Sequence, residues 1–120
     1  MYTVQKLDTL KIPLVNKFYA LYSVRGRANK QDQVWVVYSE TQIVAACRIQ
    51  NKHDFLFLST VFVAPQHRAK GLAKQLVCAA IKQQSMPLYT FAYKNITALY
   101  TSLGFNQVLT YFHEANCIFF

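Results

Sequence analysis

Between Ala64 and Ala80 the chain reads APQHRAKGLAKQLVCAA. This is a short basic join, built around Gly71, between an apolar run (Phe55–Val63, FLFLSTVFV) and an amphipathic segment. The first backbone N–H groups of a helix have no internal partners, and the helix dipole adds partial positive charge at that end. Phosphate oxygens are natural ligands for such a terminus. Gly71 has no side chain to obstruct their approach and Ala73 has only a methyl, while Arg68 and Lys70 add charge beside the same spot. The join is therefore a pyrophosphate site in outline. It is not a Walker loop, because GxxxxGK[ST] is absent, and the three-glycine dinucleotide fingerprint is missing too.

The groups able to move protons are few. The carboxylates are Asp8, Asp32, Glu40, Asp54 and Glu114, and the histidines are His53, His67 and His113. A histidine titrates nearest neutrality, yet each of these stands in a polar turn, where a solvated surface role is the simpler reading. Cys47, Cys78 and Cys117 are far apart, with no CxxC pair, so neither a zinc site nor a disulfide framework is indicated. Their apolar surroundings read as buried thiols.

These groups need a scaffold. Tyr2–Asp8 reads as a first strand, short and near an edge. A helix is expected from Pro13, with Leu14, Val15, Phe18, Leu21 and Tyr22 at helical spacing, ending before Gly26. Arg25–Asp32 (RGRANKQD) is a polar loop. Gln33–Ser39 and Thr41–Gln50 are strands joined near Glu40, where a glycine is the usual residue. Phe55–Val63, apolar on both faces, is a central strand. A helix from about Ala69 to Gln84 has Leu72, Leu76, Val77, Ala80 and Ile81 on one face and Lys70, Lys74, Gln75 and Lys82 on the other. Leu88–Tyr93 is the fifth strand. Asn95 is placed to cap a short helix over Ile96–Leu103, and Gly104 to end it in a left-handed conformation. Asn106–Phe112 and Asn116–Phe120 complete the pattern. The fold class is α/β (α+β), a mixed sheet with flanking helices.

At 120 residues with a hydrophobic fraction of 53%, the chain reads as one domain, residues 1–120, with ample core. No apolar run approaches the roughly 18 residues that a membrane span needs. The first ten residues lack the apolar block of a signal peptide, so a cytoplasmic location is expected. Thirteen Lys and Arg against five carboxylates give a net charge of +8. A field of that sign favours polyanions, a phosphorylated cofactor or a nucleic acid, over polycations such as polyamines. The cations gather modestly at Arg25, Arg27 and Lys30 and again at Arg68, Lys70 and Lys74.

Arg68-Ala69-Lys70-Gly71-Leu72-Ala73 resembles the [QR]xxGx[GA] signature of the GNAT acetyltransferase superfamily. Asn95-Ile96-Thr97-Ala98-Leu99-Tyr100-Thr101-Ser102-Leu103-Gly104-Phe105 resembles its second signature, N-x-x-A-x-x-Y-x-x-x-GF. The two lie in the family's order, one helix and one strand apart, and the resemblance covers roughly Gln33 to Phe112. It implies a largely antiparallel sheet of about six or seven strands, with a splay between the fourth and the fifth. It also implies acetyl transfer from acetyl-CoA to an amine on a small or macromolecular acceptor. By the same resemblance the CoA pyrophosphate sits on Gln66, His67, Arg68, Ala69, Lys70, Gly71, Leu72 and Ala73. The pantetheine arm meets the backbone of Thr60, Val61, Phe62 and Val63 and bonds Asn95, and Tyr100 protonates the departing thiolate.

Read from the residues alone, Tyr100 also suits a core aromatic, Asn95 a plain helix cap and Arg68 a surface cation. A phenol does remain protonated at neutral pH and can serve a thiolate leaving group. The fourth strand contains no carboxylate to act as general base. His53, Asp54, His113, Glu114 or a water chain are the choices. Only one helix and a basic loop fit between the first two strands, which implies an open acceptor groove or one completed by a second subunit, as in a homodimer. No metal is expected. A non-catalytic CoA-binding module and a basic nucleic-acid-binding domain are the alternatives. The cations form no single dense stripe, and the aromatics are in inward phase, which weighs against the latter.

Overall fold

A computed structural model describes residues 1–86, 88–93, 102, 104, 106–112 and 115–119. The β-branched and aromatic runs pair into one sheet of β1 (Tyr2–Lys6), β2 (Gln33–Ser39), β3 (Gln42–Asn51), β4 (Leu56–Val63), β5 (Leu88–Tyr93), β6 (Asn106–Phe112) and β7 (Ala115–Phe119). The strand order is β1-β2-β3-β4-β5-β7-β6. Every neighbouring pair is antiparallel except β4 with β5. As the sequence indicates, β1 lies at an edge and β4 in the middle.

Two helices cover opposite faces. Asp8 accepts the Leu10 N–H at 3.0 Å and starts a single 3-10 turn, Thr9–Lys11, that leads into α1 (Ile12–Leu21). α1 turns Ile12, Val15, Phe18 and Tyr19 onto Val34, Val36, Ala46 and Ala64. On the other face α2 (Leu72–Lys82) packs Leu72, Leu76, Val77, Ala80 and Ile81 against Trp35, Val37, Cys47, Ile49 and Leu58. Val34 to Val37 of β2 thus alternate between the two cores, as the period of two requires; in β3 the alternation slips once, at a register shift where Val44 and Ala45 both belong to the core beneath α2. Burying one such leucine stabilises the fold by about 1.5–3 kcal/mol.

Two departures from the sequence reading have backbone causes. The sequence places the start of α2 at about Ala69, but the helix begins at Leu72. Ala69 (φ +62°) and Gly71 (φ +74°) are left-handed, and neither can belong to a right-handed helix. Gly71 is therefore the N-cap and not a first-turn residue, and Pro65–His67 forms a separate 3-10 turn before it. The second departure is in β4. Ala46 faces Phe62 but Arg48 faces Ser59, so β4 carries one residue more than β3 across this interval. The bulge centres on Thr60, a β-branched residue at φ +56°. It inverts the alternation of the strand: Leu56 and Leu58 face α2, whereas Phe62 and Ala64 face α1.

The hairpin between β2 and β3 closes over Glu40 and Thr41, with Ser39 opposite Gln42. Glu40 takes the left-handed conformation (φ +56°) that a glycine usually fills. Of the helix expected over Ile96–Leu103 only Ser102 is among the described residues, and it is helical; Gly104, expected to end it, does have a positive φ of +102°. No described helix is long and apolar enough to cross a membrane.

Candidate active site

The ladder between β4 and β5 is short. Leu56, Phe57 and Leu58 pair with Leu88, Tyr89 and Thr90, and there the pairing stops. Phe91, Ala92 and Tyr93 continue along β7 while β4, among the described residues, runs on beside β3 alone. This is the expected splay. Its apex is fixed by Thr90, 2% exposed, whose hydroxyl donates to the Leu58 carbonyl at 2.7 Å. Beyond the apex the backbone groups of β4 alternate between β3 and the open edge. Because the Ala64 N–H donates to the Val44 carbonyl, Val61 and Val63 are the residues that turn their N–H and C=O outward.

The open edge leads into a groove of about 480 Å³ lined by Val61, Phe62, Val63, His67, Arg68, Ala69, Gly71, Leu72, Ala73 and Lys74. The N-terminus of α2 points into it. No side chain caps that end and its first turn holds no acid. The first intrahelical bond runs from the Gln75 N–H to the Gly71 carbonyl, so the preceding amides have no helical acceptor. A Cβ placed on Gly71 would meet nothing within 4 Å, which leaves free volume against these amides. The donors, the open space and the adjacent cations fit a diphosphate.

Most residues expected to hold the cofactor are thus brought together. Gln66 and Lys70 are the exceptions: both are exposed and neither lines the groove. Gln66 instead accepts a long hydrogen bond of 3.5 Å from the Tyr22 hydroxyl. Lys74 does line it; the sequence places it in the basic cluster with Arg68 and Lys70 and on the polar face of the helix but not at the cofactor, and its position three residues after Gly71, in the first turn, is the signal for that. Arg68 donates from Nε to the Val63 carbonyl at 2.9 Å and lays its guanidinium 5.2 Å from the Phe62 ring centre. His67 is hydrogen-bonded through Nδ1 to the Tyr2 hydroxyl at 2.9 Å. Asn95 and Tyr100 lie outside the described residues, as do His113 and Glu114. His53 and Asp54 are exposed in the turn before β4. Six residue steps, roughly 20 Å of extended chain, separate Asp54 from Thr60.

The bulge is held by a network that the sequence reading missed. The Tyr19 hydroxyl donates to the Thr60 carbonyl at 2.8 Å, which removes that carbonyl from the set expected to be free for pantetheine. Arg48 donates from Nε to Thr60 Oγ1 at 2.9 Å and forms an ion pair with Asp32 at 3.0 Å, the two side chains being 12% and 6% exposed. Burial pushes the Tyr19 phenol far above its ordinary range, the neighbouring Cys47 adds to the effect, and Arg48 opposes it. Tyr19 therefore serves as a donor and not as a base. Arg48 is the one charged residue inside the apolar strand Gln42–Asn51, and that was the signal for a buried partner. Gly26 presses on the same spot: a Cβ there would stand 3.2 Å from Thr60 Oγ1 and 3.3 Å from Arg48 Nη2. No group of three or more potential metal ligands occurs among the described residues.

Residues 30–107 match a family model described as an acetyltransferase (GNAT) domain. The chain is 32% identical over 117 residues to the uncharacterized N-acetyltransferase YjgM of Escherichia coli (strain K12), covering 88% of this chain and 67% of that protein. Its fold is similar to the crystal structure of Escherichia coli ElaA, with a TM-score of 0.79 at 17% identity and 99% of each chain covered. It is also similar to the PaiA N-acetyltransferase of Thermoplasma acidophilum in complex with coenzyme A. There the TM-score is 0.70 at 10% identity, covering 99% of this chain and 98% of that one.

Proposed function

The chain belongs to the GNAT family of acetyltransferases, which makes it an acyl-CoA-dependent acyltransferase, and from that premise we propose that it moves an acetyl group from acetyl-CoA to an amine by direct attack. The observation that carries this reading is the ladder that ends at Leu58 and Thr90, with the open edge of β4 leading straight to the bare N-terminus of α2. In this reading acetyl-CoA supplies an activated thioester. Its diphosphate takes the amides of Leu72 and Ala73, with Arg68, Lys70 and Lys74 supplying charge. Val61, through its N–H and C=O, and Val63, through its N–H, pair with the pantetheine arm across the fork, the Val63 carbonyl being held by Arg68, and Asn95 bonds the same arm. The amine nitrogen forms the new C–N bond as the C–S bond breaks, and Tyr100 gives its phenolic proton to the thiolate. The ammonium first loses one proton through water, since β4 carries no carboxylate, and the second proton, shed by the nitrogen as the amide forms, restores the Tyr100 phenol through water.

The test is release of free thiol from acetyl-CoA in the presence of a panel of amines. Tyr100→Phe is expected to slow release by about 10²–10⁴-fold while leaving CoA affinity near that of the unaltered protein. An undiminished rate in that variant removes Tyr100 from the role. Binding of acetyl-CoA without release on any amine contradicts transfer itself.

A further inference from the structure

A second groove, of about 780 Å³, lies between α1 and the loop that precedes β2. Its lining includes Leu10, Ile12 and Pro13, with Lys17, Arg27 and Lys30 as its charged members and, among the described residues, no carboxylate and no aromatic ring. The nearby acids are already engaged. Asp8 caps the turn before α1, and Asp32 is paired to Arg48 and accepts the Asn29 N–H at 2.9 Å. The loop is a built element. Asn16 clamps Ala28 with a reciprocal pair, its Nδ2 donating to the Ala28 carbonyl at 3.0 Å and its Oδ1 accepting the Ala28 N–H at 2.7 Å, and Ala28 itself is buried. Arg27 and Lys30 therefore project from fixed backbone. One residue before Arg27, Gly26 rests against Thr60 and Arg48, so the loop that forms one wall of the groove also touches the bulge of β4.

We propose that this groove selects the acceptor, and that the acceptor is the amine of an acidic peptide whose carboxylates sit on Lys17, Arg27 and Lys30. The inference rests on the transferase reading above and names its substrate class. Cations with no ion-pair partner among the described residues, above an apolar floor, match a segment that mixes carboxylate and apolar side chains. A single-stranded nucleic acid would look for rings on which to stack its bases, and the described residues of this lining offer none. A lysine-rich peptide would meet only like charge.

Peptides with a free amine followed by glutamates are compared with the same peptides carrying glutamines, by thiol release from acetyl-CoA. The glutamate series is expected to show a KM about tenfold lower at low ionic strength. The preference should shrink as salt rises, because exposed charges are screened within about 10 Å at 0.1 M. In the double variant Arg27→Glu, Lys30→Glu the preference disappears or inverts, and thermal stabilisation of that variant by CoA reports that it folds. Should it not fold, Lys17→Glu makes the same comparison from α1. Equal KM values for both series overturn the proposal, as does a preference that the variants leave intact, or an RNA oligonucleotide that displaces the glutamate peptide more effectively than unlabelled peptide does. If acetyl-CoA binds but no amine releases thiol, the transferase reading fails. Fluorescence anisotropy of the labelled glutamate peptide then still decides the groove, since binding lost in the double variant supports it and binding unchanged refutes it.

Discussion

Gly71→Ala separates what the backbone requires from what a ligand requires. At φ +74° an alanine costs about 1–2 kcal/mol relative to its preferred conformations. Part of that, about 0.4–1 kcal/mol, is offset because alanine has less freedom to lose on folding. No clash adds to the balance, because the new methyl meets nothing within 4 Å. The chain already holds an alanine in the same region of conformational space two residues earlier, at Ala69 with φ +62°. The variant should therefore fold, with stability lower by about 1 kcal/mol and a melting temperature down by about 3–6 °C. The methyl would nevertheless occupy the space from which a diphosphate reaches the amides of Leu72 and Ala73. Losing one charge-assisted hydrogen bond of about 1.5–3 kcal/mol weakens CoA binding by about 10- to 150-fold. Differential scanning fluorimetry and calorimetric titration with CoA measure the two effects on one sample. A variant destabilised as described but binding CoA with unchanged affinity refutes the placement of the diphosphate at Gly71. The reverse substitution two residues upstream, Ala69→Gly, should lose none of that affinity.

Other predictions follow from the network and the strained positions. Arg48→Ala leaves the Asp32 carboxylate buried and unpaired and should cost about 3–5 kcal/mol in urea unfolding; adding Asp32→Ala should recover part of that loss, and additive costs would deny the coupling. Tyr19→Phe strands the Thr60 carbonyl and should cost about 1–3 kcal/mol by the same assay. Burial pushes the Cys47 thiol from 9.0 up to about 12, with the hydrogen bond to the Trp35 backbone pulling the other way. Below pH 9 both the folded and the unfolded thiol keep their proton, so nothing is lost there. Between pH 9 and 12 only the unfolded chain ionises, and stability falls by at most about 1.4 kcal/mol per pH unit. Cys47→Ala should flatten that decline in unfolding curves recorded across this window. Glu40→Asn, which tolerates φ +56° better, should raise stability by about 0.5–1 kcal/mol, and a lowered melting temperature would contradict the strain assigned to this turn.

Much of this architecture is written in local pattern. The two-residue alternation of Gln33–Ser39 and Thr41–Gln50, the helical spacing of Leu72, Leu76, Val77 and Ile81, and the apolar length of Phe55–Val63 need only near neighbours to be read. The groove beside Gly71 was legible for the same reason, since a glycine between cations at a strand–helix join carries its meaning within a few residues. What escaped was set by distance or by conflict. The Tyr19–Thr60 hydrogen bond spans 41 positions, and no local feature of Tyr19 distinguishes it from any inward aromatic. Thr60 is a strand former by propensity, yet tertiary contacts hold it in the conformation it resists most. The start of α2 was placed too early because Ala69 favours helix, and only its positive φ reveals that the loop continues to Gly71.

The bulge at Thr60 has a consequence for how a ligand would arrive. Past that residue β4 is out of phase with its own beginning, so it cannot simply zip onto β5 when nothing lies between them. Closing the gap would require breaking the bonds from Tyr19 and Arg48 and turning Phe62 out of the core beneath α1. The cleft is accordingly present before anything enters, and an incoming arm finds its backbone partners already set. Association should then show a single bimolecular phase in stopped-flow mixing, its rate proportional to ligand concentration, with no slow opening step and little conformational entropy left to spend.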